Sequence, residues 1–275
     1  MKSINYKGKL IDLSIPRVMG ILNITPDSFY DGGNLKNDSE ILSLAEKMLT
    51  DGATFIDIGG YSSRPGATDI LVDEELKRVL PVVTLLLKNF PEVLLSIDTF
   101  RAEVAKKTIE AGAAIINDIS AGILDDQMFK TIAEYQVPYI MMHMKGSPQT
   151  MKEFADYKDV VSEVLFYFSE RIATARSYGI NDLVIDPGFG FAKTISHNFE
   201  LLRNTEKLQI ADLPILIGVS RKSMIYKTLD TSAAEALNGT TVLNTIALQK
   251  GASILRVHDV KEAVETVKLL DALKG

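Results

Sequence analysis

Short apolar runs along the chain break off into polar, Gly or Pro residues, and amphipathic stretches fill the gaps between them. The eight runs fall at 18–25, 55–60, 94–99, 114–120, 139–144, 183–188, 215–220 and 254–259. Their spacing is roughly thirty to forty residues, the length of one βα unit. Apolar residues recur at three and four over 40–49, 74–89, 102–110, 160–178, 198–208, 235–250 and 261–274, which predicts helices. Gly52, Gly112, Gly179 and Gly251 each close one of these stretches shortly before the next run. Glycine there suits the left-handed turn that ends a helix, and the recurrence is a weak internal repeat.

Strict alternation of strand and helix requires parallel strands with right-handed crossovers, and eight units can close into a (β/α)₈ TIM barrel. An open doubly wound sheet is the alternative. The barrel is favoured because polar residues gather after every strand, whereas an open sheet concentrates its site at one switch point. The leader, residues 1–17, divides around Lys7-Gly8 like a β-hairpin and could plug the far end of the barrel. With 275 residues and no linker or low-complexity tract, the chain is expected to be one domain, 1–275.

Composition narrows the field. A net charge of -6 argues against a nucleic-acid partner, because phosphate backbones require clustered Lys and Arg. Cysteine is absent, which excludes disulfides, thiolate metal sites and a catalytic thiol. No apolar stretch has the length of a signal peptide or a membrane span, so a cytoplasmic location is expected.

Strand phase then sorts the polar residues, since side chains in a barrel alternate between the interior and the surrounding helices. Leu255 and Val257 should face helices, which turns Arg256 and His258 inward. Leu183 and Ile185 take the outer face, leaving Val184, Asp186 and Gly188 inside. By the same parity Ser96 pairs with Asp98, and Asn117 opposes Asp118. Inward carboxylates need hydrogen-bond donors, and two of them with an Asn suit a flat, nitrogen-rich heterocycle. Arg256, His258 and Lys222 bring positive charge to the same rim. The 220–223 segment leaves the seventh strand and opens a short helical stretch, a common anion site in barrels. Together these features point to a heteroaromatic substrate carrying a phosphate-like group.

The segments NITPDSFYDGG (23–33), GGYSSRPG (59–66), SIDT (96–99), NDIS (117–120), MHMKG (142–146), DPGFGF (186–191), SRKS (220–223) and RVH (256–258) together resemble the dihydropteroate synthases of the folate pathway. The resemblance runs in order from about residue 18 to the C-terminus, and eight ordered motifs are far more specific than any one. It implies a transferase that condenses 6-hydroxymethyl-7,8-dihydropterin diphosphate with 4-aminobenzoate, giving 7,8-dihydropteroate and diphosphate by dissociative substitution. It further implies that Asp98, Asn117, Asp186 and Lys222 grip the pterin, with Phe191, Ser63 and Arg64 also at the substrates. Asn23 is implied as ligand of a Mg²⁺ that holds the diphosphate with Arg256 and His258, and Ser223 as anchor of the aminobenzoate carboxylate. Lys222, Arg256 and Asp98 would carry the chemistry. Loops 25–38 and 61–72 would act as lids, sulfonamides would compete with aminobenzoate, and the enzyme would be a homodimer.

Tyr61 stands where that family often has Glu, and Ser63 where it often has Thr. Two other readings share the pterin grip: a pterin-dependent methyltransferase of the same superfamily, and a non-catalytic pterin-binding protein. The first has no use for a diphosphate clamp such as Arg256 with His258. Lys222 as a Schiff-base lysine is disfavoured because it begins a helix instead of lying within a strand. His197 is read as a surface or capping residue, His143 as part of the barrel wall, and Asp57 as a buried structural carboxylate.

Overall fold

A computed structural model describes residues 2–24, 38–62 and 69–274. Eight parallel strands form the central sheet: β3 (Arg17–Asn23), β4 (Phe55–Gly59), β5 (Leu94–Asp98), β6 (Ile115–Asp118), β7 (Tyr139–Met142), β8 (Leu183–Asp186), β9 (Leu216–Ile217) and β10 (Ile254–Val257). Hydrogen bonding runs in the order β8-β7-β6-β5-β4-β3-β10-β9. A parallel bridge from Ile185 to Ile215 brings the two edges together. The result is the nearly closed (β/α)₈ barrel expected from the alternation.

Helices follow the strands: α1 (Asp38–Thr50), α2 (Val72–Asn89), α3 (Ala102–Glu110), α4 (Met128–Tyr135), α5 (Val160–Ser177), α6 (Ile195–Arg203), α7 (Ser223–Tyr226), α8 (Leu237–Gln249) and α9 (Val260–Lys274). The pattern over 198–208 proves to be two elements, α6 and a 3₁₀ turn at Thr205–Ala211. Helix α4 lacks a long periodic stretch and was not expected from the pattern; its eight residues bury Met128, Phe129 and Ile132 instead. Gly52, Gly112, Gly179 and Gly251 all carry positive φ, as a helix-ending turn requires.

Side-chain phase follows the predicted parity. Ile56, Ile58, Leu95, Ile97, Leu183, Ile185, Leu255 and Val257 pack outward in the large cluster shared with the helices. The opposite parity, with Met19, Phe55, Ile115, Ile140, Val184, Leu216 and Ile254, fills the lower barrel. Two antiparallel strands, β1 (Ser3–Tyr6) and β2 (Lys9–Asp12), turn at Lys7 and Gly8, both with positive φ. Ile4, Ile11 and Leu13 from this hairpin join the lower-barrel cluster and close that end. Each such side chain, fully buried, contributes about 1.5–3 kcal/mol.

Candidate active site

At the C-terminal ends of the strands the inward positions change from apolar to polar. Asp98, Asn117, Ile119, Met142, Asp186, Phe191, Gly218, Lys222 and Arg256 line one pocket there. Enzymes of this barrel type bind substrates at the corresponding face, and the pocket unites the predicted residues Asp98, Asn117, Asp186, Phe191, Lys222 and Arg256.

Arg256 organises the floor. Its Nε donates to Asp57 Oδ2 at 2.5 Å and its Nη2 to Asp98 Oδ2 at 2.7 Å. Asn117 Nδ2 donates to the same Asp57 oxygen at 3.1 Å. Asp57 is completely buried, and its Oδ1 has no hydrogen-bond partner among the described residues. Burial works against the Arg256 charge, but the Asp57 and Asp98 carboxylates hold its pKa above the ordinary value. Burial pushes Asp98 up to about 7 despite Arg256, with Asp57 adding to the rise. Part of the hydrogen-bond donation that inward Asp98 and Asp186 require comes from the protein itself. In the structure Asp98 already accepts from Arg256, and Asp186 Oδ1 accepts from Gly188 N–H at 2.8 Å.

Asp186 and Lys222 form the opposite wall. Burial raises the Asp186 pKa, with Lys222 opposing it. Burial likewise brings Lys222 down to about 8, with Asp186 opposing. Lys222 Nζ donates to Phe189 O and lies 5.0 Å from the centre of the Phe191 ring. Its placement depends on Arg221, which turns the backbone through a φ of 53° immediately before α7. The Arg221 guanidinium holds Asp259 bidentately, with both contacts at 2.9 Å, while the Arg221 backbone N–H donates to Thr240 Oγ1. This arrangement sends Arg221 away from the pocket and Lys222 into it. Ser223 is the first residue of α7, half-buried beside Lys222.

His258 reaches the rim and is exposed, its Nδ1 3.0 Å from Ser220 Oγ. Asp118 faces the other way, accepting from Ser120 N–H, Ser120 Oγ, Gly122 N–H and Tyr139 O–H, so it shapes the loop after β6. His197 caps α6 in a capping box with Thr194, as expected. Asn23 ends β3; a Cβ at Gly59 would stand 3.5 Å from Asn23 Oδ1 and 3.6 Å from Asp98 Cβ, so glycine opens this corner.

Ser63, Arg64 and most of loops 25–38 and 61–72 lie outside the described residues. The ends of the second loop are held. Arg78 donates to Gly60 O, and Arg101 reaches Glu75, Asp69 and Ile70 O. Tyr61 packs edge-on to Phe100, lies 5.2 Å from the Arg101 guanidinium carbon, and accepts from Gln149 Nε2 at 2.6 Å.

Sequence reasoning missed Asp57 as a member of the site, although its phase with inward Phe55 was the available signal. Arg221 was missed too. Its role has no periodic signature, because its partner Asp259 is distant in sequence.

The match that decides the family is to the pterin-binding enzymes, over residues 19–258. The chain belongs to that family. It is 46% identical over 268 residues to the dihydropteroate synthase of Escherichia coli (strain K12), covering 97% of this chain and 94% of that one. The dihydropteroate synthase of Yersinia pestis in a sulfonamide drug complex superposes with a TM-score of 0.92 at 42% identity, covering 99% of both chains. That of Xanthomonas albilineans with 4-aminobenzoic acid gives 0.91 at 38% identity, covering 99% of this chain and 98% of the other. Within the pterin-binding family the chain therefore stands with the dihydropteroate synthases, which are transferases.

Proposed function

We propose that the chain condenses a 6-hydroxymethyl-7,8-dihydropterin diphosphate with 4-aminobenzoate to give 7,8-dihydropteroate and diphosphate. The observation that carries this reading is the ring of Asp98, Asn117, Asp186, Lys222 and Arg256 at one level of the barrel mouth, built for a flat ligand with several N–H donors. Asp186 and Asp98 would accept from the ring and amino N–H groups, Asn117 would meet a mixed edge, and Phe191 would cover a ring face. Arg256 and Lys222 would supply positive charge to a departing diphosphate, and His258 a hydrogen bond at the rim.

The C–O bond to diphosphate breaks with its electron pair leaving on oxygen. The electron-rich dihydropterin shares the positive charge left on the exocyclic carbon. The aminobenzoate nitrogen then forms the C–N bond and releases a proton. Such a substitution needs no nucleophilic side chain. Ser223 and the α7 backbone would receive the aminobenzoate carboxylate.

Asn23 would hold Mg²⁺. A carboxamide oxygen beside the glycine-opened corner near Asp98 is a suitable hard donor, because Mg²⁺ uses few protein ligands and completes its shell with water and phosphate. Bound there, the ion would neutralise diphosphate charge. Among the described residues no cluster of three or more His, Cys, Asp or Glu forms a separate metal site. Exposed Val242 on α8 and Leu269 and Leu273 on α9 support a homodimer through that side of the barrel. No described helix is long and apolar enough to cross a membrane, and the acidic, cysteine-free composition supports a cytoplasmic enzyme.

Release of diphosphate, measured with and without 4-aminobenzoate, tests the reaction. Release that depends on aminobenzoate is expected; its absence would overturn the assignment. Omitting Mg²⁺ should abolish release and weaken retention of labelled aminobenzoate. Sulfonamides should compete with aminobenzoate and not with the pterin.

A further inference from the structure

Lys193 lies just beyond the DPGFGF segment and is absent from the pocket lining, yet its ammonium end sits at the centre of that segment's backbone. Nζ donates to Gly188 O and to Phe191 O, both at 3.0 Å, and shares a 2.8 Å hydrogen bond with His143 Nδ1. His143 O lies further off, at 3.4 Å. Burial draws Lys193 well below its usual range, opposed by Asp186 and aided by Lys222 and Lys145. Charged or neutral, Nζ carries at least the two N–H groups those carbonyls need.

The partner on the other side is rigid. His143 is 2% exposed, and its ring meets Tyr167 edge-on at 4.7 Å. The Tyr167 hydroxyl shares its proton between Met142 O and Ser120 O, each 3.0 Å away, which ties the end of β7 to the β6 loop. Burial, with Lys193 and Lys145 nearby, keeps His143 well below its ordinary pKa and therefore neutral. The backbones themselves are in close approach: a Cβ on Gly188, whose φ is +72°, would fall 2.1 Å from His143 O.

The loop is thus held from both flanks. Lys222 takes Phe189 O from the ligand side, and Lys193 takes Gly188 O and Phe191 O from the side of β7. The same few residues carry the ligand-facing groups: Gly188 N–H orients the Asp186 carboxylate, and Phe191 lines the pocket. We propose that Lys193, seated on His143, is a positioning residue for the pterin pocket, holding Asp186, Phe191 and the Phe189 acceptor of Lys222 in their binding geometry. The inference rests on the reading of this pocket as the pterin site.

The test compares wild type with Lys193→Met and Lys193→Gln by calorimetric titration with a pterin analogue and by steady-state kinetics. Two carbonyls left without their donor should weaken pterin binding by about tenfold or more. The KM for the pterin diphosphate should rise by the same factor, while kcat and the aminobenzoate KM stay within about threefold. A purely structural strap would lower the melting temperature and the active fraction but leave the pterin affinity of the folded protein unchanged. If Lys193→Met does not fold, the comparison is read on Lys193→Gln, whose stem is one atom shorter and cannot bring its N–H groups to both carbonyls at once. Pterin affinity within about twofold of wild type in a folded variant, or equal losses for both substrates, would overturn the inference. A wild-type protein that binds no pterin analogue would instead remove the functional reading, and this inference with it.

Discussion

The two ends of the barrel are built on the same strands and differ by a two-residue step. Phe55 is followed inward by Asp57, Ile115 by Asn117, Val184 by Asp186, and Ile254 by Arg256. Two residues advance a strand by about 6.5 Å. Within that distance the interior passes from a dry layer sealed by Ile4, Ile11 and Leu13 to a layer of paired charges. The lower layer can be apolar throughout because the hairpin covers it. The upper layer has to be satisfied internally while it waits for a ligand, and Arg256 bridging Asp57 and Asp98 does this. Apolar burial is concentrated at one end and charge at the other, and on the proposed function the charged end is where the chemistry takes place.

The largest expected effect is at the dry end. Phe55→Ala should cost about 3–5 kcal/mol of folding stability, measured as a denaturant midpoint, because the surrounding strands cannot collapse into the space. Substrate KM values should hardly move. A KM change without a stability loss would break the division between the ends.

Asp186→Asn attacks the other end. An amide presents N–H groups to a ligand edge that itself donates, so pterin binding should weaken by about 2–4 kcal/mol. The melting temperature should stay near that of wild type, since Gly188 N–H can still donate to the amide oxygen. Titration with a pterin analogue decides; unchanged affinity would remove Asp186 from the site.

How much of this was legible in the sequence follows the same divide. Strand phase placed Arg256, Asp186, Asp98 and Asn117 inward correctly, because a period of two needs only a clean apolar face such as Leu255 and Val257. Asp57 obeys the same parity, but its use as the common acceptor of Arg256 and Asn117 depends on which strands are neighbours across the barrel. Lys193 and Arg221 were invisible for another reason: their partners are the carbonyls of a glycine-rich loop and Asp259, joined by tertiary geometry without a pattern of residue types. Helix α4 escaped notice because eight residues give too few repeats of the helical period to stand out.

Arg256→Lys sharpens the comparison inside the charged layer. A lysine keeps one charge but cannot serve two carboxylates with a planar fork, so Asp57 or Asp98 loses a charge-assisted bond. Turnover per KM should fall by about 10–100-fold, equivalent to roughly 1.5–3 kcal/mol, with a small change in melting temperature. A variant with wild-type kinetics would mean that the Asp57–Arg256–Asp98 bridge is only structural.

The smallest effect concerns pH. Asp98 is raised to about 7, so it becomes an acceptor for ligand N–H groups only as the pH climbs through that value. Lys222 is lowered to about 8, so its positive charge is lost as the pH climbs through that one. The first group must be deprotonated and the second protonated, which leaves a window between about 7 and 8. The pH profile of kcat/KM for the pterin substrate should be bell-shaped there, falling towards tenfold per unit on either side. Asp98→Asn should flatten the acid limb of whatever activity remains, since an amide does not titrate, and Lys222→Arg should move the alkaline limb upward. Phe55 lies among apolar side chains in the lower barrel, away from Asp98 and Lys222, so Phe55→Ala should leave both limbs where they are. A profile with limbs that stay fixed in the Asp98 and Lys222 variants would assign the titration to other groups, and the charged layer would then act through shape rather than through its protonation state.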